Sequence, residues 1–180
     1  MEIPALETLG PRLMICGPSS NGKSTLAVAI ERRTGWPVVH LDRFRHQPNT
    51  DWVQRPDEDF AALHASAILG ESWVMEGNYS KLMPARLDRA TGVVLLGANR
   101  WANLVRYVRR SVFEKQRAGY LEGALDRGIK WSMIHWILVV SPGNLQHYRH
   151  ELPKAGLPIV EVTNMHELNR LYREWGLSRG

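Results

Sequence analysis

The chain has 180 residues, of which 44% are hydrophobic and 23% charged, ordinary globular usage that excludes disordered and fibrous classes and predicts one domain over 1–180. A net charge of +5 and seven Trp residues suit phosphate-bearing partners, either nucleic acid or several small phosphates gathered in one cleft. The single cysteine, Cys16, excludes a disulfide framework, and neither a secretory leader nor a membrane-length apolar run is legible, so a cytoplasmic protein without membrane contact is expected.

In chain order, residues 13–16 read as a first strand. Residues 23–34 follow as a helix, with Leu26, Ala27 and Ile30 at helical spacing and Gly35 as its cap. A short apolar strand over 38–41 delivers Asp42 at its carboxyl end. Residues 43–55 show no periodicity and read as an excursion over the sheet edge, the expected acceptor-binding region together with the helix after it, about 43–72. That helix begins near Pro56 and runs to Gly70, with Phe60, Leu63 and Ala67 on one face. Further strands are predicted at 73–75, ending at Glu76, at 93–96 and at 159–162, with a last helix over 166–175. Between the fourth and fifth strands lies a long helical stretch, 101–151. His40 and His135 sit in apolar runs and read as core. Alternating strands and helices predict a parallel sheet covered on both faces.

The segment Gly17-Pro18-Ser19-Ser20-Asn21-Gly22-Lys23-Ser24 matches G-x-x-x-x-G-K-[ST] between a strand and a helix. Two glycines permit a tight turn that aims successive N–H groups, and the helix N-terminus behind them, at phosphate oxygens. Lys23 would bridge the β- and γ-phosphates, the Ser24 hydroxyl would ligate magnesium, and Ser19, Ser20, Asn21 and Thr25 would line the same nest. The expected ligand is ATP as its Mg2+ complex.

Ligands of open parallel sheets bind beyond the strand carboxyl ends, where Asp42 and Glu76 are both predicted. Asp42 leads into the excursion, so it takes the role of orienting or deprotonating an acceptor, while Glu76 takes the magnesium side. Arg43, Asn78, Tyr79 and Arg86 are the remaining candidates for contact with the acceptor. On a helix through 101–117, Arg106, Arg110 and Arg117 fall within about 40° of one another and Arg109 about 60° aside, with Val105, Val108 and Val112 opposite. That pattern predicts a basic face over a buried one. With Gly119, Gly123 and Gly128 as hinges, residues of about 101–130 would form a lid whose arginines close over the transferring phosphoryl group. Contact of that face with nucleic acid stays open, and the sequence fixes no oligomeric state.

Taken together, GPSSNGKSTLA, VVHLD, ESWVMEGNYS with Arg86 downstream, and GVVLLGANRW resemble the small adenylate-kinase-related P-loop proteins of the topology modulation type, over about residues 12 to 115. The resemblance implies a three-layer α/β fold with five parallel strands in the order 2-3-1-4-5 and a helical lid after the fourth. It also implies lid arginines near the ATP phosphates and Arg100 near the adenine. Two stretches depart from that family: Glu76 stands where it tends to have Asp, and Gly97-Ala98-Asn99-Arg100 replaces an Asp-x-Pro-Arg run. An Asp-Gly-Phe-Pro-Arg segment, which adenylate kinase itself would require, is absent from the chain. The function expected is phosphoryl transfer from ATP to a small-molecule acceptor; the alternative is a regulatory NTPase associated with nucleic acid.

Overall fold

A computed structural model describes residues 3–97, 99–113 and 129–179. Its centre is a five-stranded sheet, in spatial order β2-β3-β1-β4-β5: β1 (Arg12–Cys16), β2 (Val38–His40), β3 (Trp73–Glu76), β4 (Gly92–Leu96) and β5 (Ile159–Val162). All four pairings are parallel, with Met14 opposite Met75 and Val93. The predicted order is the observed one.

Because successive strand residues face opposite ways, β1 feeds two cores. Leu13 and Ile15 pack with Leu26, Ile30, Val94 and Leu171 on one face. Met14 and Cys16 pack with Trp73, Met75, Leu95 and Tyr148 on the other. A sheet covered on both sides needs continuous apolar strands, and β1, β3 and β4 supply them. Sequence neighbours β1 and β2 are separated by β3, and β1 lies between β3 and β4. The turn after β1 therefore opens at the point where the strand order reverses, the usual ligand position in such sheets.

Helices cover the faces: α1 (Lys23–Thr34), α2 (Leu41–Arg45), α3 (Asp57–Ala67), α4 (Met83–Leu87), α5 (Arg100–Phe113), α6 (Trp131–His135), α7 (Ser141–Glu151) and α8 (Met165–Glu174). Gly35 ends α1 in the left-handed conformation and donates its N–H to Glu31 O at 2.7 Å. Asn164 caps α8 by accepting the Glu167 N–H. Among the described residues no helix is long and apolar enough to cross a membrane.

Several expectations are corrected. The second strand stops at His40, and Asp42 belongs to the single helical turn α2 that follows it; the excursion beyond is pinned by an antiparallel bridge between His46 and Gln54. On α3 the inward positions are Phe60 and His64, whereas Leu63 is 39% exposed. His135 is exposed. The largest reversal is on α5, where Val105 and Val112 are 67% and 59% exposed and Asn103 and Tyr107 are buried. Arg106 is half-buried with them. A helix lying over a polar loop turns its hydrogen-bonding groups inward, so the apolar stripe does not mark the buried face. The rest of the 101–151 stretch breaks into α6, a π-helical turn over Trp136–Val140, and α7.

Candidate active site

The turn after β1 has no room for side chains at its start. Gly17 has φ +134°, and a Cβ there would lie 2.0 Å from the Leu96 carbonyl oxygen. Asn21 is buried and donates its Nδ2 to that same carbonyl at 2.6 Å, tying the loop to the end of β4. Ser20 and Gly22 take positive φ, and Gly22 starts α1 with no side-chain cap. No side chain caps the N-terminus of this twelve-residue helix, so its first turn, with the helix dipole behind it, could receive an anion. Lys23 folds its ammonium over the loop, 2.8 Å from Pro18 O. Ser19, Ser20 and Ser24 are half-buried along this turn, and Thr25 is exposed.

Glu76 ends β3 next to β1, and it is 4% exposed. Its Oε1 accepts from the Ser24 hydroxyl at 2.9 Å and lies 2.8 Å from His40 Nδ1. Burial alone would raise this carboxyl, but the His40 hydrogen bond, the Lys23 charge and the Ser24 hydroxyl together hold it below the ordinary carboxylate value. Asp42 shows the opposite balance. Burial and the neighbouring Glu76 charge raise it, against a lowering hydrogen bond from Tyr79, whose hydroxyl donates to Asp42 Oδ1 at 2.5 Å. Two carboxyls in one site thus have their proton affinities pushed apart, the pattern that separates a fixed charge from a proton acceptor.

The Ser24 hydroxyl and the Glu76 carboxylate are hard oxygen donors. Magnesium keeps several waters and phosphate oxygens and takes only one or two protein ligands, so this pair fits a magnesium ion carried by a phosphate. Among the described residues no group of three or more His, Cys, Asp or Glu could hold a metal by itself.

Other predicted residues are placed less simply. Asn78 Oδ1 accepts the Gly17 N–H at 3.1 Å. Arg86, expected at the acceptor, is fully buried and donates to the carbonyls of Gly77 and Asn78 at 3.0 and 2.5 Å; that expectation is corrected, because a guanidinium so enclosed serves the loop rather than a ligand. Arg106 reaches the phosphate loop, with Nε donating to Ser20 O at 2.9 Å and Nη2 to Asn103 Oδ1 at 2.5 Å. Arg109 and Arg43 are exposed. Arg100 is also exposed, its guanidinium 5.9 Å from the Trp101 ring centroid. The side chain of Arg110, together with Arg117 and the hinge glycines 119, 123 and 128, lies outside the described residues.

Reading the sequence for motifs misses His40 and Asn103. A signal for His40 existed: the strand order puts the second strand beside the third, and His40 is the residue level with Glu76.

Residues 12–50 match the family model for isopentenyl transferase. That stretch carries β1, the phosphate loop, α1, β2 and Asp42. Adenylate dimethylallyltransferase from Allorhizobium ampelinum is 50% identical over 32 residues, 18% of this chain and 14% of that protein. The enzyme of the same name from Rhizobium rhizogenes is 49% identical over 35 residues, 19% of this chain and again 14% of that one. The match thus spans only a small part of the length of these curated relatives. A gluconokinase from Sinorhizobium meliloti 1021 superposes with a TM-score of 0.59 at 16% identity, over 93% of this chain and 90% of that one. Likeness over nearly the full length of both chains gives this chain the fold of that gluconokinase.

Proposed function

We propose that the chain is a phosphotransferase that moves the γ-phosphoryl group of ATP to a small-molecule acceptor. The observation that carries this reading is the contact between Ser24 and Glu76 at the N-terminus of α1, with the Asp42–Tyr79 pair beside it. A charged carboxylate shared with the loop serine suits the magnesium side of a triphosphate, and a second carboxylate of raised proton affinity suits an acceptor's proton.

In this reading the loop amides of 17–24 and the Lys23 ammonium hold the phosphates, and Ser24 and Glu76 hold magnesium. When bound, magnesium neutralises phosphate charge and fixes the triphosphate for in-line attack. Asp42 orients the acceptor and takes its proton, with Tyr79 setting the carboxylate's direction. Arg106, whose guanidinium bonds Ser20 O, would supply positive charge to the transferring group together with Arg109, Arg110 and Arg117, and Arg100 would stack near the base. Arg43, Asn78 and Tyr79 border the acceptor. The protein would work in the cytoplasm on a small molecule rather than on nucleic acid.

The isopentenyl transferase match favours one second reading. The same loop would hold the diphosphate of an allylic donor, Asp42 would deprotonate an acceptor amine, and nitrogen would attack the allylic carbon as diphosphate leaves. Product analysis separates the two. Incubation with a panel of sugars, hydroxy acids and nucleoside monophosphates, supplied with Mg-ATP or with dimethylallyl diphosphate, should yield ADP and a phosphorylated acceptor in equal amounts. Diphosphate with an alkylated acceptor would instead establish the second reading, and salt-sensitive retention on DNA or RNA without acceptor turnover would favour a regulatory NTPase.

A further inference from the structure

Burying a guanidinium is costly unless hydrogen bonds replace the lost water, yet Arg86 on α4 is 0% exposed. Burial pulls its charge affinity down, to about 10, against the neighbouring Cys16, Tyr148 and Glu76. Its fork spans three consecutive carbonyls, donating to Gly77 O and Asn78 O and lying 3.5 Å from Tyr79 O. The loop so gripped is under constraint on its own account. Tyr79 takes φ +44°, a conformation that bulky residues keep only when their surroundings impose it. At Gly77, φ is +128°, and a Cβ there would stand 3.0 Å from the Leu41 Cβ.

Two contacts leave this loop for separate partners. Asn78 accepts the N–H of Gly17, the first residue of the phosphate loop. Tyr79 donates to Asp42, the candidate proton acceptor. We propose that Arg86 is a positioning residue that makes 77–79 a rigid bracket, fixing the entrance of the phosphate loop and the acceptor-side carboxylate relative to each other. Its consequence for catalysis rests on the phosphotransferase reading; the bracket itself does not.

Hydrogen exchange on the folded protein tests it independently of any activity. Arg86→Lys keeps the charge but loses the planar fork. It should speed exchange by about tenfold in both 17–24 and 41–45, the effect of losing a charge-assisted hydrogen bond. Asn78→Ala should reproduce only the change in 17–24, and Tyr79→Phe only that in 41–45. Acceleration confined to 77–87 in Arg86→Lys overturns the proposal. Should that variant fail to fold, native-state exchange of wild type in low denaturant decides. Opening of Gly17 and of 77–79 with one shared denaturant dependence supports the bracket, and independent opening refutes it. Calorimetry with Mg-ATP adds a functional readout: a dissociation constant about tenfold weaker in Arg86→Lys is expected, whereas a lower melting temperature with unchanged affinity assigns Arg86 to stability alone. Wild type that binds no Mg-ATP would sink the phosphotransferase reading and leave the exchange result to judge the bracket.

Discussion

From Gly17 to Ser24 the chain builds its phosphate loop from consecutive residues, whereas the carboxylate side is assembled from His40, Asp42, Glu76, Tyr79 and Arg86, brought together by strand order. The first region is a local motif whose turns are set by its own glycines. The second exists only because β2 and β3 end level with each other. Its own glycines shape the turns of the phosphate loop, with Asn78 and the Leu96 carbonyl holding it from outside, while the carboxylate side is built wholly from such long-range contacts and should respond more widely to substitutions that touch no ligand.

The sharpest way to divide the two is Asp42→Asn. Acceptor-dependent turnover should fall by about 10²–10⁴-fold, the usual worth of a positioned proton acceptor, with Mg-ATP affinity unchanged; steady-state kinetics beside calorimetry checks both. Its pH profile carries the same information. As the proposed proton acceptor Asp42 must be ionised, and its proton affinity is raised, so turnover should rise with pH through a limb above the ordinary carboxylate value. Tyr79→Phe removes a lowering hydrogen bond and should move that limb to higher pH. Stability runs the other way: a folded-state value above the unfolded one gives stability that is present at acid pH and lost as pH rises through the folded value. Asp42→Asn should therefore raise the melting temperature at neutral pH, with the gain vanishing in acid.

Substitutions on the phosphate-loop side should act on turnover through charge. Arg106→Ala removes the guanidinium bonded to Ser20 O and should lower turnover by about 10²–10³-fold, as loss of one stabilising donor does. The reversed faces of α5 give a stability contrast. Tyr107 is 7% exposed and its hydroxyl accepts the Lys130 N–H, so Tyr107→Ala should cost about 3 kcal/mol. Val105→Ser should stay within about 0.5 kcal/mol, and denaturant titration of the two variants measures the difference.

The smallest expected effect concerns His64, 1% exposed beside the Arg86 bracket. Burial and then the Arg86 charge lower it from 6.5 to about 4. A depressed folded value means the neutral imidazole contributes stability above pH 6.5 that is lost as pH falls from 6.5 through about 4. His64→Leu should flatten that acid limb in urea midpoints taken across the range.

The sequence told different amounts about these regions for physical reasons. A strand, a glycine turn and a helix start announce themselves within a dozen residues, so β1, the loop and α1 were legible nearly to the residue. The strand order followed from a family resemblance and was met in full. Asp42 and Glu76 stand out in the sequence because each follows an apolar run, whereas His40 does not, since its contact exists only opposite Glu76. Arg86 was legible as important but not as buried, because nothing local distinguishes an arginine that grips three carbonyls from one that grips a ligand. On α5 the valine spacing pointed to the wrong face: hydrophobic periodicity locates the core side of a helix packed on apolar partners, and Arg106 with Asn103 packs instead against the phosphate loop.

Titration calorimetry of wild type and Lys23→Ala with ATP, in magnesium and in EDTA, tests the central claim most directly. A phosphate nest backed by the Ser24–Glu76 pair predicts binding that requires magnesium for full strength and is abolished or nearly so in Lys23→Ala, with both proteins melting alike. Equal affinity in the two proteins, or no heat of binding in wild type, would contradict it.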